Sequence, residues 1–289
     1  MKVNNWYFAL LLCLCFNINS RAQTDSINRL KPLVIGASVV YTGALIGLNE
    51  LWYSDFERQS FRFFDDSKEW KQVDKVGHFY AAFQLSASGY HALKWANVSE
   101  KKSLLWGTLF SAIVLTPIEV FDGFSAAYGA SYSDLLANTA GATFFYMQQK
   151  KWGEIRIHPK FSFQQTNFAA QRPELLGNNF QEELLKDYNG QTYWLSFDLS
   201  KFSRGNFPKW LNIAIGYGAT GMLAARDQQS EFLGYRPRRQ YYLALDFDFH
   251  EYKSKSKFVN TMIYLVNMIH LPAPTLALDD KLKFHFIYY

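Results

Sequence analysis

The sequence predicts an α+β protein: an N-terminal bundle of about four apolar helices, embedded in a membrane or buried as a soluble bundle, then a strand-rich antiparallel region with one inserted helix. Three observations carry this reading. Apolar runs of helical length fill the chain up to about Lys150. Beyond that point the apolar residues recur with period two. Aromatic residues make up 18% of the chain while the net charge is only +5, a balance that suits buried strands or a membrane interface better than a polyanion.

The first residues read as an export signal spanning residues 1–22. Lys2 supplies the positive start, WYFALLLCLCF (residues 6–16) is the apolar stretch, and NSRAQ offers a cleavage site after Ala22. Eleven apolar residues are too few to span a bilayer. Cys13 and Cys15 each follow a leucine, where a lipid-attachment signal carries a small residue, so simple cleavage is expected. Residues 23–289 then contain no cysteine, which excludes disulfides, thiolate catalysis and Cys-ligated zinc from the mature chain. The lysines and arginines are scattered and form no stripe. The expected partner is therefore a membrane lipid or another envelope component, not a nucleic acid.

Residues 30–150 hold the four helical runs: residues 32–49, 76–93, 103–118 and 135–149. The first two approach the about 20 residues of a spanning helix, and their glycines, alanines and serines permit close helix–helix approach. The connector SDFERQSFRFFDDSKEWKQ (residues 54–72) mixes charges with Phe61, Phe63, Phe64 and Trp70, the composition of an interfacial amphipathic segment or of a surface connection packed on a core.

Residues 151–289 read as half-buried antiparallel strands in RIHPKFSF, TYWLSFDLS, WLNIAIGYGA, YYLALDFDFH and the terminal LKFHFIYY. In TYWLSFDLS, Tyr193, Leu195, Phe197 and Leu199 share one face while Ser196, Asp198 and Ser200 share the other. KFVNTMIYLVNMI (residues 257–269) is the inserted helix, stopped by HLPAP. GYGATG fits the dinucleotide-binding glycine pattern, with Asp246 at a plausible ribose distance. A lone match beside an alternating strand is better explained by glycines that relieve a curved strand.

Three segments each bring polar residues to the end of an apolar run. Asp74 and His78 are one helical turn apart, beside Lys75; Glu119 and Asp122 are three apart; Asp134 and Asn138 are four apart, after Ser131 and Ser133. Capping accounts for part of this. Asp74 can cap its helix, and TPIE (residues 116–119) and SYSD (residues 131–134) fit the capping-box pattern. Capping leaves His78, Asp122 and Asn138 unexplained. If the three ends meet, His78 is placed as an acid/base group oriented by Asp74, with Lys75 and Asn138 alongside, and Glu119, Asp122 and Asp134 are the set suited to a divalent metal.

DKVGHFYAAF, IEVFD and SYSDLLANTAG together resemble the YfiM-like family of predicted periplasmic lipoproteins of unknown function, and are similar to VanZ-like membrane proteins. The resemblance covers residues 73–147 and points at Asp74, Lys75, His78, Glu119, Asp134, Asn138 and Gly141. Asp122 stands where VanZ-like proteins have Gln, and an Arg before the Asp is missing, so the site is the more acidic and the better suited to a cation. The resemblance implies a location and no reaction.

Two functions are expected from this pattern. One is a binding or structural envelope protein whose cluster takes a cation or a lipid headgroup, or fixes the bundle's register. The other is a metal-assisted hydrolase or transferase acting on a lipid-linked substrate. An outer-membrane barrel is a third reading, but it needs about eight strands and only five are visible.

Overall fold

Four long helices form the N-terminal half of the computed structural model: α1 (Leu30–Leu48), α2 (Val73–Trp95), α3 (Glu100–Phe124) and α4 (Tyr132–Trp152). The structure describes residues 29–50, 57–126, 128–203, 205 and 207–288. The expected export signal lies outside these residues. Among the described residues, only α1 and α3 are long and apolar enough to cross a membrane, not four helices. The reason is visible in α2, whose polar side chains hold it between the bundle and the sheet. Ser86 donates to the Thr108 carbonyl, Gln84 to that of Pro159 and Tyr80 to that of Met268.

Close approach of the helices rests on small residues. The buried face of α3 is Ser103, Gly107, Ser111, Leu115, Glu119 and Gly123, every fourth residue, and this stripe places α3 inside the bundle. A Cβ on Gly107 would lie 2.4 Å from the backbone nitrogen of Tyr90, and one on Gly141 would lie 2.1 Å from the Phe79 carbonyl oxygen. Phe83, Ala87, Tyr90 and Phe145 fill the space that remains.

The helix does not start at TPIE: α3 runs continuously through Pro117. Proline has no N–H for the carbonyl four residues back. The Tyr41 hydroxyl from α1 answers that deficit, 3.4 Å from the Ile113 oxygen and 2.8 Å from that of Val114. Asp74 is likewise not a cap, because α2 begins at Val73 and follows Gln72 without a side-chain cap bond. Ser131 does cap α4, accepting from the Asp134 backbone N–H.

Over its described residues the connector is a surface connection packed on the core. It runs as an extended strap in which β1 (Phe63–Phe64) pairs in parallel with β2 (Ala130–Ser131), then tightens into a 3-10 turn, Glu69–Gln72. Trp70, Lys71 and Gln72 have φ of 48°, 52° and 63°, left-handed values that cost non-glycine residues energy. The turn is held by outside contacts. Trp70 N donates to the Ala225 carbonyl, Lys71 pairs with Asp227, and Arg226 pairs with Glu69.

The C-terminal half is a six-stranded antiparallel meander: β3 (Ile157–Phe163), β4 (Gln191–Phe197), β5 (Leu211–Thr220), β6 (Arg238–Phe247), β7 (Ala273–Leu278) and β8 (Leu282–Tyr288). Five of these are visible in the sequence; β7 is hidden behind HLPAP. The inserted helix, α5 (Lys257–Val266), ends three residues earlier than expected.

The sheet buries its polar face. Asn212, Ser196, Thr275 and Asp246 point inward with Trp194, while Leu243, Leu245, Leu276 and Leu278 face outward and are exposed. Inside, Lys160 Nζ lies 2.6 Å from Asp246 Oδ2, His270 Nδ1 lies 2.9 Å from Asp246 Oδ1, and the His270 ring stacks on Trp194. The glycines of GYGATG serve this packing: a Cβ on Gly216 would meet the Trp194 ring at 2.6 Å. Asp246 is fully buried in its ion pair with Lys160.

Candidate functional site

The start of α2, the end of α3 and the start of α4 meet under the strap. Lys75 sits at the centre. Its ammonium is 2.6 Å from Asp66 Oδ2, 2.9 Å from Asp74 Oδ2 and 2.6 Å from Asp134 Oδ1. The ammonium donates hydrogen bonds to Asp66 and Asp74 and pairs by charge with Asp134. Burial alone would lower the Lys75 pKa, but the charges of Asp74, Asp134 and Asp66 outweigh it and hold the amine protonated.

Asp66 arrives on the strap. Its Oδ1 accepts from the hydroxyls of Ser131 (2.6 Å) and Ser133 (2.7 Å) at the head of α4. Burial pushes this carboxyl up, yet the hydrogen bonds from Lys75, Ser131 and Ser133 bring it below its ordinary value.

Behind the lysine lie His78, Glu119, Asp134 and Asn138. His78 Nδ1 is 3.2 Å from Asn138 Oδ1, and its Nε2 is 3.7 Å from Asp134 Oδ1. One ring nitrogen of His78 thus faces an amide oxygen and the other faces a carboxylate. Glu119 accepts from the Ser131 backbone N–H through Oε2, while its Oε1 is buried without a hydrogen-bond partner, 4.0 Å from His78 Nδ1. Asn138 Nδ2 is also buried and unpartnered.

These environments shift the acids upward. Burial, reinforced by the negative charge of Asp134, raises Glu119 to about 8. Burial raises Asp74 to about 6 against the pull of Lys75, and it raises Asp134 against the attraction of His78 and Lys75. At neutral pH Glu119 is therefore mostly protonated, and the remaining carboxylates outnumber the single ammonium.

Two groups here bring their ligand atoms within 4.8 Å of one another: His78, Glu119 and Asp134, and Asp66, Asp74 and Asp134. Of the residues singled out from the sequence, Asp74, Lys75, His78, Glu119, Asp134 and Asn138 converge. Asp122 is in neither ligand group; it lies one turn beyond Glu119, half-buried, and adds negative charge that helps raise Glu119. Gly141 lies a turn below the cluster, where α4 touches α2. Sequence reasoning misses Asp66. The pair Asp65–Asp66 directly before the motif is the available signal, but it sits in a stretch that reads as surface.

Residues 62–150 match the family described as predicted periplasmic lipoprotein (DUF2279). That segment is less than a third of the 289 residues, yet it begins with the strap and contains every residue of the cluster. The match supports the periplasmic lipoprotein resemblance and not the VanZ-like one. No curated protein and no solved structure matches the chain. With its apolar helix near the N-terminus, the chain is an exported, envelope-associated protein.

Proposed function

We propose that this protein is a membrane-associated envelope protein in which the three helix ends form a cation-binding cluster. The cation would complete the cluster and lock the bundle. One observation carries the reading: His78, Glu119 and Asp134 converge within 4.8 Å around a carboxylate oxygen, Glu119 Oε1, that is buried with no hydrogen-bond partner. A buried acceptor left unmade costs about 1–3 kcal/mol, and a divalent ion between these three groups removes that cost. Binding would displace the Glu119 proton and balance the excess of carboxylates. One imidazole with carboxylates suits Mn²⁺ or a similar divalent ion.

The membrane side of the reading rests on polarity. The apolar window of α1 buries nothing in the described structure, and the outer face of the sheet exposes Leu243, Leu245, Leu276, Leu278 and Phe286 while its inner face is polar. A surface of this kind fits lipid. The hydrolytic alternative has less support, because Lys75 is held protonated and cannot serve as the base for Ser131 or Ser133.

The experiment is Mn²⁺ binding to the detergent-purified full chain, beside His78→Ala and Asp134→Asn. Saturable binding that weakens in both variants supports the proposal. Wild-type protein that takes up no Mn²⁺ overturns it.

A further inference from the structure

A second cluster of metal-ligating side chains lies away from the three helix ends, between the sheet and α5. His158 opens β3, and Asp248 and His250 follow β6. Their ligand atoms fall within 4.8 Å of one another. His158 Nε2 is 3.5 Å from Asp248 Oδ2, and His250 Nδ1 is 2.7 Å from Asp248 Oδ1. The two imidazoles lie face to face, with ring centroids 4.7 Å apart. In a tetrahedral zinc site, metal–ligand bonds of about 2.0–2.1 Å put neighbouring donors about 3.3 Å apart, and the two nitrogen–carboxylate spacings, to different oxygens of Asp248, lie on either side of that value.

Two further observations point to an occupant. His158 is 7% exposed, and its Nε2, beside the carboxylate, makes no hydrogen bond. Asn267 Nδ2 is also buried and unpartnered, and Asn267 lines the same small cavity as His158, His250 and His91. That cavity has about 30 Å³ of free volume, room for an ion or a water and too little for an organic substrate. The Asp248 carboxylate, in reach of both imidazoles, supplies the negative charge a cation needs. The His250 side chain is 34% exposed, which leaves a route for entry.

We infer that His158, Asp248 and His250 form a transition-metal site of the zinc class, with two imidazoles and one carboxylate as ligands and the fourth position facing the cavity lined by His91. An ion there would tie β3, the end of β6 and the segment after α5 together. This site is independent of the His78 cluster and draws nothing from it.

The test is Co²⁺ titration of metal-stripped, detergent-purified full chain, followed by visible absorption, since four-coordinate Co²⁺ absorbs far more strongly than the hydrated ion. Wild type should develop these bands, and with the other cluster disabled by Asp134→Asn they should saturate near one equivalent. His250→Ala, at a half-exposed position that places little strain on folding, should weaken binding by more than about 10-fold, and Asp248→Asn should do the same. Glu119→Gln should leave the bands unchanged. Absence of the bands in wild type, or their persistence in His250→Ala, overturns the inference. Bands lost in Glu119→Gln and kept in His250→Ala overturn it as well, since the ion then belongs to the other cluster.

Discussion

Glu119→Gln should change how stability depends on pH. Glu119 titrates near 8 in the folded protein against an ordinary value of 4.5, and its side chain is 4% exposed. Between those two values the folded state holds a proton that the unfolded state has released. Stability from this group is thus complete below 4.5 and declines as pH rises towards 8, by about 1.4 kcal/mol per pH unit. Glutamine keeps the neutral shape and the acceptor for the Ser131 N–H but cannot ionise. The assay is urea unfolding in detergent with chelator present, followed by far-UV circular dichroism at pH 5.5 and pH 7.0. Other groups titrate in this window, Asp74 among them, so the informative quantity is the variant's stability minus that of the wild type. That difference should move by about 2 kcal/mol in favour of the Glu119→Gln variant between the two pH values. Parallel profiles for the two proteins would refute the burial argument for Glu119.

Lys75→Met should be among the most damaging single changes, costing about 3–5 kcal/mol in urea unfolding, because it strands Asp66, Asp74 and Asp134 together in a buried place. Gly107→Ala should cost about 1–3 kcal/mol, since its Cβ would meet the backbone of Tyr90 at 2.4 Å and the α2–α3 spacing must widen; a lowered melting temperature checks this. The double variant Leu243→Glu with Leu278→Glu, on the outer face of the sheet, should reduce flotation with lipid vesicles while leaving the circular dichroism spectrum intact. Unchanged flotation would count against a lipid-facing sheet.

Helical spacing in the sequence is enough to bring out the polar cluster, because Asp74 with His78 and Asp134 with Asn138 are each one turn apart on regular helices. Asp66 is illegible for the opposite reason. It reaches the cluster through a parallel pairing of Phe63–Phe64 with Ala130–Ser131 and a left-handed turn at Trp70–Gln72, and both depend on contacts far away in the chain. TPIE reads as a helix start because Pro at the first position is a strong local signal. The structure carries Pro117 through α3, where the Tyr41 hydroxyl reaches the freed Ile113 carbonyl from a separate helix. The period-two pattern locates five strands, but periodicity alone does not say which face is buried. The choice of the polar face follows from Lys160, Asp246 and His270 neutralising one another within the sheet, a set drawn from three separate segments.

The most direct test of the cation-binding cluster is the proton count on Mn²⁺ binding. It is obtained by isothermal titration at pH 7 in two buffers of different ionisation enthalpy, with the His250→Ala background removing the second candidate site. A Glu119 that titrates near 8 must give up its proton to become a ligand, so about one proton should be released per ion bound, and none in Glu119→Gln. Mn²⁺ binding without proton release, or with the same release from both proteins, would contradict the assignment of Glu119 to the site.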